Sequence, residues 1–299
     1  MKPLKLSVAV PCYNGETFLG TTLESLLAQT RPPDEILVVD DGSSDGSREI
    51  AVGYPVRLLI HQENAGLAAA RNTALEAATG DVILYVDVDA AADEALVETI
   101  LGGFSSDDVV GVGGRGIESK ILTTADRWRA IHAPQGHGQV PLEQCEHLFG
   151  LCMAYRREAL LEIGGFSAQF RTNAEDMDVG FRLRARGGRL RYEPAAMVFH
   201  QRQDEEASLL RAMRAWYYWA YIAKAANRQR PWTLWAGTVR RSVGDPLADL
   251  WTRGDARLAR LSFKATATKL AGLQAAATDW RAGQPGRVWR QNSREPSKT

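Results

Sequence analysis

The chain has 299 residues, 45% of them hydrophobic, with 36 Lys and Arg balanced by 36 Asp and Glu. That composition suits one large globular domain, or a domain with an appendage. No run reaches the roughly 18 consecutive apolar residues needed to span a bilayer, and the lead from Met1-Lys2-Pro3 straight into a strand-like run argues against a signal peptide. Three cysteines (Cys12, Cys145, Cys152) are odd in number and lack metal-ligand spacing, which points to a reducing compartment, the cytoplasm, rather than to a disulfide frame.

The zero net charge hides an asymmetry. Residues 1–203 carry 19 Lys and Arg against 28 Asp and Glu, while residues 204–299 carry 17 against 8 and hold seven of the eight tryptophans. This composition shift places a boundary near Asp204. The expected organisation is a catalytic domain over 1–203, a basic, Trp-rich helical extension over 204–282, and a polar tail over 283–299 that frays.

In chain order, Leu6 to Pro11 is a first strand and Cys12-Tyr13-Asn14-Gly15 a loop. Leu19, Leu23, Leu26 and Leu27 recur at helical spacing within Thr17–Gln29. Glu35 to Val39 is a second strand ending in Asp40-Asp41-Gly42-Ser43-Ser44-Asp45, where Ser44 or Asp45 can cap a helix that runs through Ile50. Val56 to His61 reads as a third strand. After the turn Asn64-Ala65-Gly66-Leu67 comes an Ala-rich helix from Ala68 to Thr79, closed by Gly80. Asp81 to Asp89 is a buried strand that runs out into two carboxylates, Asp87 and Asp89. A charge at the end of a hydrophobic strand needs a partner, and a divalent cation is one that takes such carboxylates.

Residues 93–101 form a helix and Val109 to Val112 a strand. Residues 118–147 are poorly patterned and read as a long loop over the site. Phe149 to Ala154 is strand-like, Arg156 to Ile163 a short helix, and Met177 to Arg186 a helix opened by Asn173-Ala174-Glu175-Asp176. Arg189 to Phe199 resumes a strand, broken by Pro194 and ended by His200. Alternating strands and helices predict an α/β fold whose sheet is mostly parallel and covered on both faces. Ligands in such sheets bind outside the carboxyl ends of the strands. Asn14, Asp41, Asn64 and Asp87 with Asp89 lie just past four strand ends, so four connections converge on one edge.

These segments resemble glycosyltransferase family 2, enzymes of GT-A fold. The resemblance is carried by Val10-Pro11-Cys12-Tyr13-Asn14, Val38-Val39-Asp40-Asp41-Gly42-Ser43, Asn64-Ala65-Gly66-Leu67 with Ala70-Arg71-Asn72, Asp87-Val88-Asp89, Gly164-Gly165-Phe166, and Glu175-Asp176-Met177-Asp178 with Arg182, Gly187, Pro194 and His200. It covers residues 5–202; nothing comparable covers 204–299.

The resemblance implies an inverting, metal-dependent transfer of a sugar from a nucleoside diphosphate sugar (UDP-, dTDP- or GDP-linked) to an acceptor hydroxyl in cell-surface glycan assembly. It implies a nucleotide-sugar half over about 1–115 and an acceptor half over about 116–203. Pro11, Tyr13, Asn14, Glu16, Asp41, Asn64, Gly66, Arg71 and Asp87 would hold the nucleotide, and Asp89, Asp87 and His200 the Mg²⁺ or Mn²⁺. Asp176 would be the base, with Glu175 beside it. His200 as a ligand matches rhamnosyl- and galactofuranosyl-transferring members. One departure is Ala90-Ala91, where the family often places a further acid.

Other classes leave different marks. A dinucleotide oxidoreductase calls for Gly-x-Gly-x-x-Gly after the first strand, which Pro11 to Glu16 does not supply. A nucleotidyltransferase calls for a Gly-rich or basic loop there. A non-catalytic sugar-binding member would not need both Asp89 and Asp176. In 204–299, Leu209, Leu210, Met213, Trp216, Tyr217 and Ala220, extended by Tyr221 and Ile222, form an apolar helical stripe among arginines. Such a stripe suits an anionic membrane surface, a second subunit or simple packing; nucleic acid is disfavoured beside an acidic catalytic domain.

Overall fold

The computed structural model describes residues 3–170 and 173–287. The central Val-, Ile- and Leu-rich runs fold as strands buried along their length, because both faces of a mostly parallel sheet are covered by helices, while the edge run Arg57–Ile60 stays partly exposed. The first half runs β1 (Leu6–Cys12), α1 (Leu19–Leu27), β2 (Glu35–Asp40), α2 (Ser47–Val52), β3 (Arg57–Ile60), α3 (Leu67–Ala77) and β4 (Val82–Val86). It continues through β5 (Ala90–Ala92), α4 (Leu96–Gly103), β6 (Val109–Glu118), α5 (Thr124–His132), β7 (Cys152–Arg156), α6 (Arg157–Glu162), α7 (Glu175–Ala185) and β8 (Arg189–His200). Three helices follow: α8 (Glu206–Ala226), α9 (Trp232–Leu247) and α10 (Ala256–Arg281), with a π-helical turn over Ala248–Thr252.

One eight-stranded sheet has the order β3-β2-β1-β4-β7-β6-β8-β5. β3, β2, β1 and β4 are parallel, β7 runs antiparallel between β4 and β6, and β6 and β8 are parallel. One face is sealed by Leu19, Leu23, Leu26, Leu96, Val97 and Ile100. The other is sealed by Ala68, Ala70, Ala74, Leu75, Phe166, Val179 and Leu183.

The chain divides into two units: residues 1–120 with 133–202, and 121–132 with 203–299. The first holds the whole sheet. The second holds α5, α8, α9 and α10, so the stretch 118–147 is not one long loop: α5 lies within it and belongs to the second unit. The sequence hid this because α5 turns Trp128 and Arg129 inward, and an inward arginine spoils apolar periodicity.

Other differences are local. Gly80 does not close α3, which ends at Ala77 with Ala78 as its C-cap; Gly80 instead lies so close to Ser7 that a Cβ would stand 2.7 Å from the Ser7 nitrogen. α2 begins after Gly46, and Asp45 accepts the Ser47 N–H at 3.1 Å from one residue earlier. As expected, Pro194 interrupts β8 and His200 ends it. Between Gly113↔Tyr192 and Arg115↔Met197 the ladder slips, because proline has no N–H to donate, and pairing resumes beyond it.

In the second unit α8 packs on α10 and α5. Leu209, Met213, Tyr218 and Ile222 are buried with Trp128, Leu258, Leu261, Ala265 and Leu273. Much of the stripe expected to face a membrane is therefore core. Several inward polar groups find partners: Arg129 pairs with Asp204 through Nε, Trp128 Nε1–H donates to Ser262 Oγ at 2.8 Å, and the Ser262 hydroxyl donates to Asp249 Oδ2 at 2.6 Å. Among the described residues no helix is long and apolar enough to cross a membrane. The tail expected to fray lies outside the described residues from 288 onward.

Candidate active site

The parallel strands all end on one edge, and the residues just past β1, β2, β3 and β4 gather there. Two clasps shape the near side. Asn14, with φ at 51°, donates its backbone N–H to Ser43 Oγ at 2.9 Å, and its Oδ1 accepts the Ser44 N–H at 2.9 Å. Glu16 Oε2 accepts the Gly46 N–H at 2.7 Å. Asn14 and Glu16, expected at the nucleotide, thus tie the loop after β1 to the loop after β2. Tyr13, just before Asn14, is exposed, while Pro11 is buried within β1.

Asp41 is also committed. Its Oδ1 accepts the Ala65 N–H at 2.9 Å and lies 2.6 Å from His61 Nδ1; its Oδ2 accepts the Gly66 N–H at 2.8 Å. With 3% of its surface exposed, Asp41 acts as the anchor of the Asn64–Gly66 turn. Gly66 stands at φ 99° ahead of α3, a conformation that favours glycine.

α3 delivers Arg71 to the centre. This side chain is wholly buried and carries three partners: Glu175, the Asp87 carboxylate at 2.9 Å and the Gly150 carbonyl at 3.0 Å. Burial is tolerable because both carboxylates pair with it. Glu175 is 3% exposed. Burial raises its pKa, with Asp176 adding repulsion and Arg71 opposing. It braces the site from behind, and the sequence expectation that it works beside Asp176 on substrate does not match this position. Burial likewise raises the Asp87 pKa, against the pull of Arg71.

Asp176 sits in the first turn of α7, where the helix dipole favours an anion. Its Oδ2 accepts the Gly150 N–H at 2.9 Å and its Oδ1 the Met177 N–H at 2.7 Å. Gly150, which no motif singled out, therefore holds Asp176 with its N–H and Arg71 with its carbonyl. A continuous line of hydrogen bonds runs from Asp176 through Gly150 and Arg71 to Asp87.

Past β4 the second carboxylate meets the end of β8. His200 Nε2 lies 3.3 Å from Asp89 Oδ2, and His200 Nδ1 lies 2.9 Å from Glu118 Oε2. Burial lowers the His200 pKa, but the two carboxylates outweigh it and raise it to about 9. Burial opposes ionisation of Asp89 too, yet His200 and Arg202 hold its carboxyl below the usual range. Glu118 escaped the sequence reading: a lone acid at the end of a glycine-rich strand gives no signal.

Among the described residues no three His, Cys, Asp or Glu side chains converge as a preformed metal cluster. Asp87, expected as a ligand, is drawn to Arg71 instead. Asp89 and His200 do fit a hard divalent cation as a pair of oxygen and nitrogen donors, the sort of partial protein shell that substrate phosphate oxygens and waters complete.

The fold is that of the GT-A glycosyltransferases. The profile of Glycosyl transferase family 2 matches residues 7–164, more than half the chain, and the protein belongs to that family. Among solved structures, the mannosyltransferase of Pyrobaculum calidifontis in complex with GDP-Man and Mn²⁺ superposes with a TM-score of 0.62 at 21% identity, over 92% of this chain and 88% of the other. S. aureus TarS 1-349 in complex with UDP-GlcNAc superposes at 0.55 and 16% identity, over 94% and 92%. At these identities the likeness shows the fold. The pre-mycofactocin glycosyltransferase of Mycobacterium tuberculosis is 30% identical over 210 residues, 67% of this chain and 43% of that one. The chain spans about two fifths of the length of the curated relatives it matches.

Proposed function

We propose that the protein is an inverting glycosyltransferase that uses a nucleoside diphosphate sugar and a divalent cation. The observation that carries this reading is the placement of Asp176. Two backbone N–H groups hold its carboxylate at the start of α7, and Gly150 and Arg71 link it to Asp87 at the end of β4.

In this reading Asp176 accepts the proton of the acceptor hydroxyl as its oxygen attacks the anomeric carbon. The bond from that carbon to the diphosphate oxygen breaks in the same step, so configuration inverts. Retention by double displacement would require a second positioned nucleophile. Glu175 and Arg71 fix where Asp176 and Asp87 stand. Asp89 and His200 hold Mg²⁺ or Mn²⁺, which when bound neutralises charge on the departing diphosphate.

The Pyrobaculum neighbour holds GDP-Man and Mn²⁺ and the TarS neighbour UDP-GlcNAc, which supports the donor class and a cation. The acceptor is proposed as a glycan or lipid-linked hydroxyl in cell-surface assembly, with the enzyme working in the cytoplasm or on the cytoplasmic face of the membrane. The test is a thermal-shift panel of nucleotides and nucleotide sugars with Mn²⁺, because a ligand of the native state raises apparent stability. The best stabiliser is then assayed for release of its nucleoside diphosphate. Stabilisation and turnover are expected for one donor. Stabilisation without any turnover, with or without acceptors, would favour a non-catalytic binding protein.

A further inference from the structure

α9 is built inside out. Thr238 and Asp249 point inward, at 4% and 0% exposure, whereas Trp232, Val239, Val243, Leu247, Leu250 and Trp251 are all exposed. From Trp232 to Leu250 the steps of seven, four, four and three residues follow one helical face, and Trp251 adjoins Leu250 at its end, so the stripe continues from α9 into the π-helical turn. At 1.5 Å per residue it runs about 28 Å. Burial of Thr238 and Asp249 leaves no doubt about which side faces the protein, since a Ser262 hydroxyl and His132 hold Asp249 in place. An exposed apolar stripe of this length marks an interaction surface.

The charge around it selects the partner. Residues 228–260 contain Arg228, Arg230, Arg240, Arg241, Arg253, Arg257 and Arg260 against three acids. All three acids are already engaged: Asp245 lies 3.7 Å from His132 Nδ1, Asp249 meets His132, Ser262 and Arg253, and Asp255 meets Arg127 and the first N–H groups of α10. A second copy of this face would bring arginines against arginines. An anionic lipid surface would neutralise them while the tryptophans at the two ends of the stripe settle at headgroup level.

We infer that the face of Trp232, Val239, Val243, Leu247, Leu250 and Trp251 is a membrane-docking surface that lies in the plane of an anionic bilayer. The inference is independent of the catalytic residues, which all belong to the other unit. It also differs from what the sequence alone pointed to: the α8 stripe is core, and the apolar face left over is on α9.

The full chain is tested by flotation with vesicles of phosphatidylcholine, with and without phosphatidylglycerol. Binding is expected only to the vesicles with phosphatidylglycerol, weakening as salt rises toward a Debye length of a few ångströms. V243D and W251S, at exposed positions, should each weaken it roughly tenfold while far-UV circular dichroism and donor hydrolysis stay unchanged. Combining Arg240→Gln, Arg241→Gln and Arg260→Gln should remove the preference for anionic lipid. Absence from the floating fraction at low salt would overturn the inference. So would flotation that V243D and W251S leave intact, or a dimer that these substitutions dissociate in a chain that ignores vesicles.

Discussion

Arg71 and Glu175 meet as a buried ion pair across 104 residues of sequence, joining α3 to the start of α7. Asp87 and the Gly150 carbonyl fill further sides of the same guanidinium. A lysine is a point charge on a flexible stem and cannot serve these three partners at once. Removing the cation leaves the buried Glu175 carboxylate without its partner, and breaking a buried pair in this way costs about 3–5 kcal/mol. Arg71→Met is therefore expected to destabilise the chain by that order. The pair Arg71→Met with Glu175→Gln should cost clearly less than the sum of the two single changes. Urea unfolding of the four proteins closes the cycle; additive costs would mean that the pair does not couple.

Asp176 is held by the Gly150 and Met177 N–H groups rather than by a cation. An amide can keep the Asp176 backbone in place but cannot take a proton. Asp176→Asn is expected to lower kcat by about 10²–10⁴ with donor affinity retained, since Asp176 is not among the residues proposed to touch the nucleotide. Isothermal titration with donor, set beside turnover, separates the two quantities. Near-normal turnover would remove Asp176 as the base.

Glu118 holds one ring nitrogen of His200 while the other faces Asp89. Such outer partners fix the orientation of a metal-ligating imidazole, and losing one typically weakens metal binding by about 10–100-fold. Glu118→Gln should raise the Mn²⁺ concentration for half-maximal activity by that factor and leave activity at saturating Mn²⁺ close to wild type. In wild type, EDTA should abolish transfer and added Mn²⁺ restore it. Full transfer in chelator would place the cation elsewhere or nowhere.

What the sequence revealed and what it concealed divide along physical lines. The strands β1, β2 and β4 were legible because burial on both faces demands unbroken apolar runs, and their polar ends mark the sheet edge where ligands bind. Asp176 was legible as an acid in a helix's first turn. The uses of Asn14, Glu16 and Asp41 were not. Each forms hydrogen bonds with backbone N–H groups or a hydroxyl on another loop, and such pairing depends on loop closure that no local pattern encodes. Glu175 and Asp176 are adjacent in sequence, yet one faces inward to Arg71 and the other meets Gly150. Only the helix phase separates them. α8 and α9 show the same limit at larger scale: both carry apolar stripes among arginines, and tertiary packing alone decides which stripe is core.

Lys269 in the second unit supplies a test of that core. It is 4% exposed, with its ammonium 4.8 Å from the Trp128 ring and 5.2 Å from the Tyr217 ring. Burial lowers its pKa from 10.5 to about 8, helped by Arg241 and opposed by Asp245. The two aromatic faces soften the cost of holding a cation there without removing it. Since the folded-state pKa lies below the unfolded one, the unfolded chain binds more protons between about pH 8 and pH 10, and stability must rise with pH across that window. A displacement from 10.5 to about 8 corresponds to about 3 kcal/mol at its full extent. Lys269→Met keeps the packing volume and removes the titration. Chemical unfolding of the second unit, followed by tryptophan fluorescence at pH 7, 8, 9 and 10 (about one window of titration), should show wild type gaining stability with pH relative to Lys269→Met. It should also show the methionine variant as the more stable at pH 7. Parallel curves for the two proteins would mean that Lys269 keeps an ordinary pKa and that its cage is open to water.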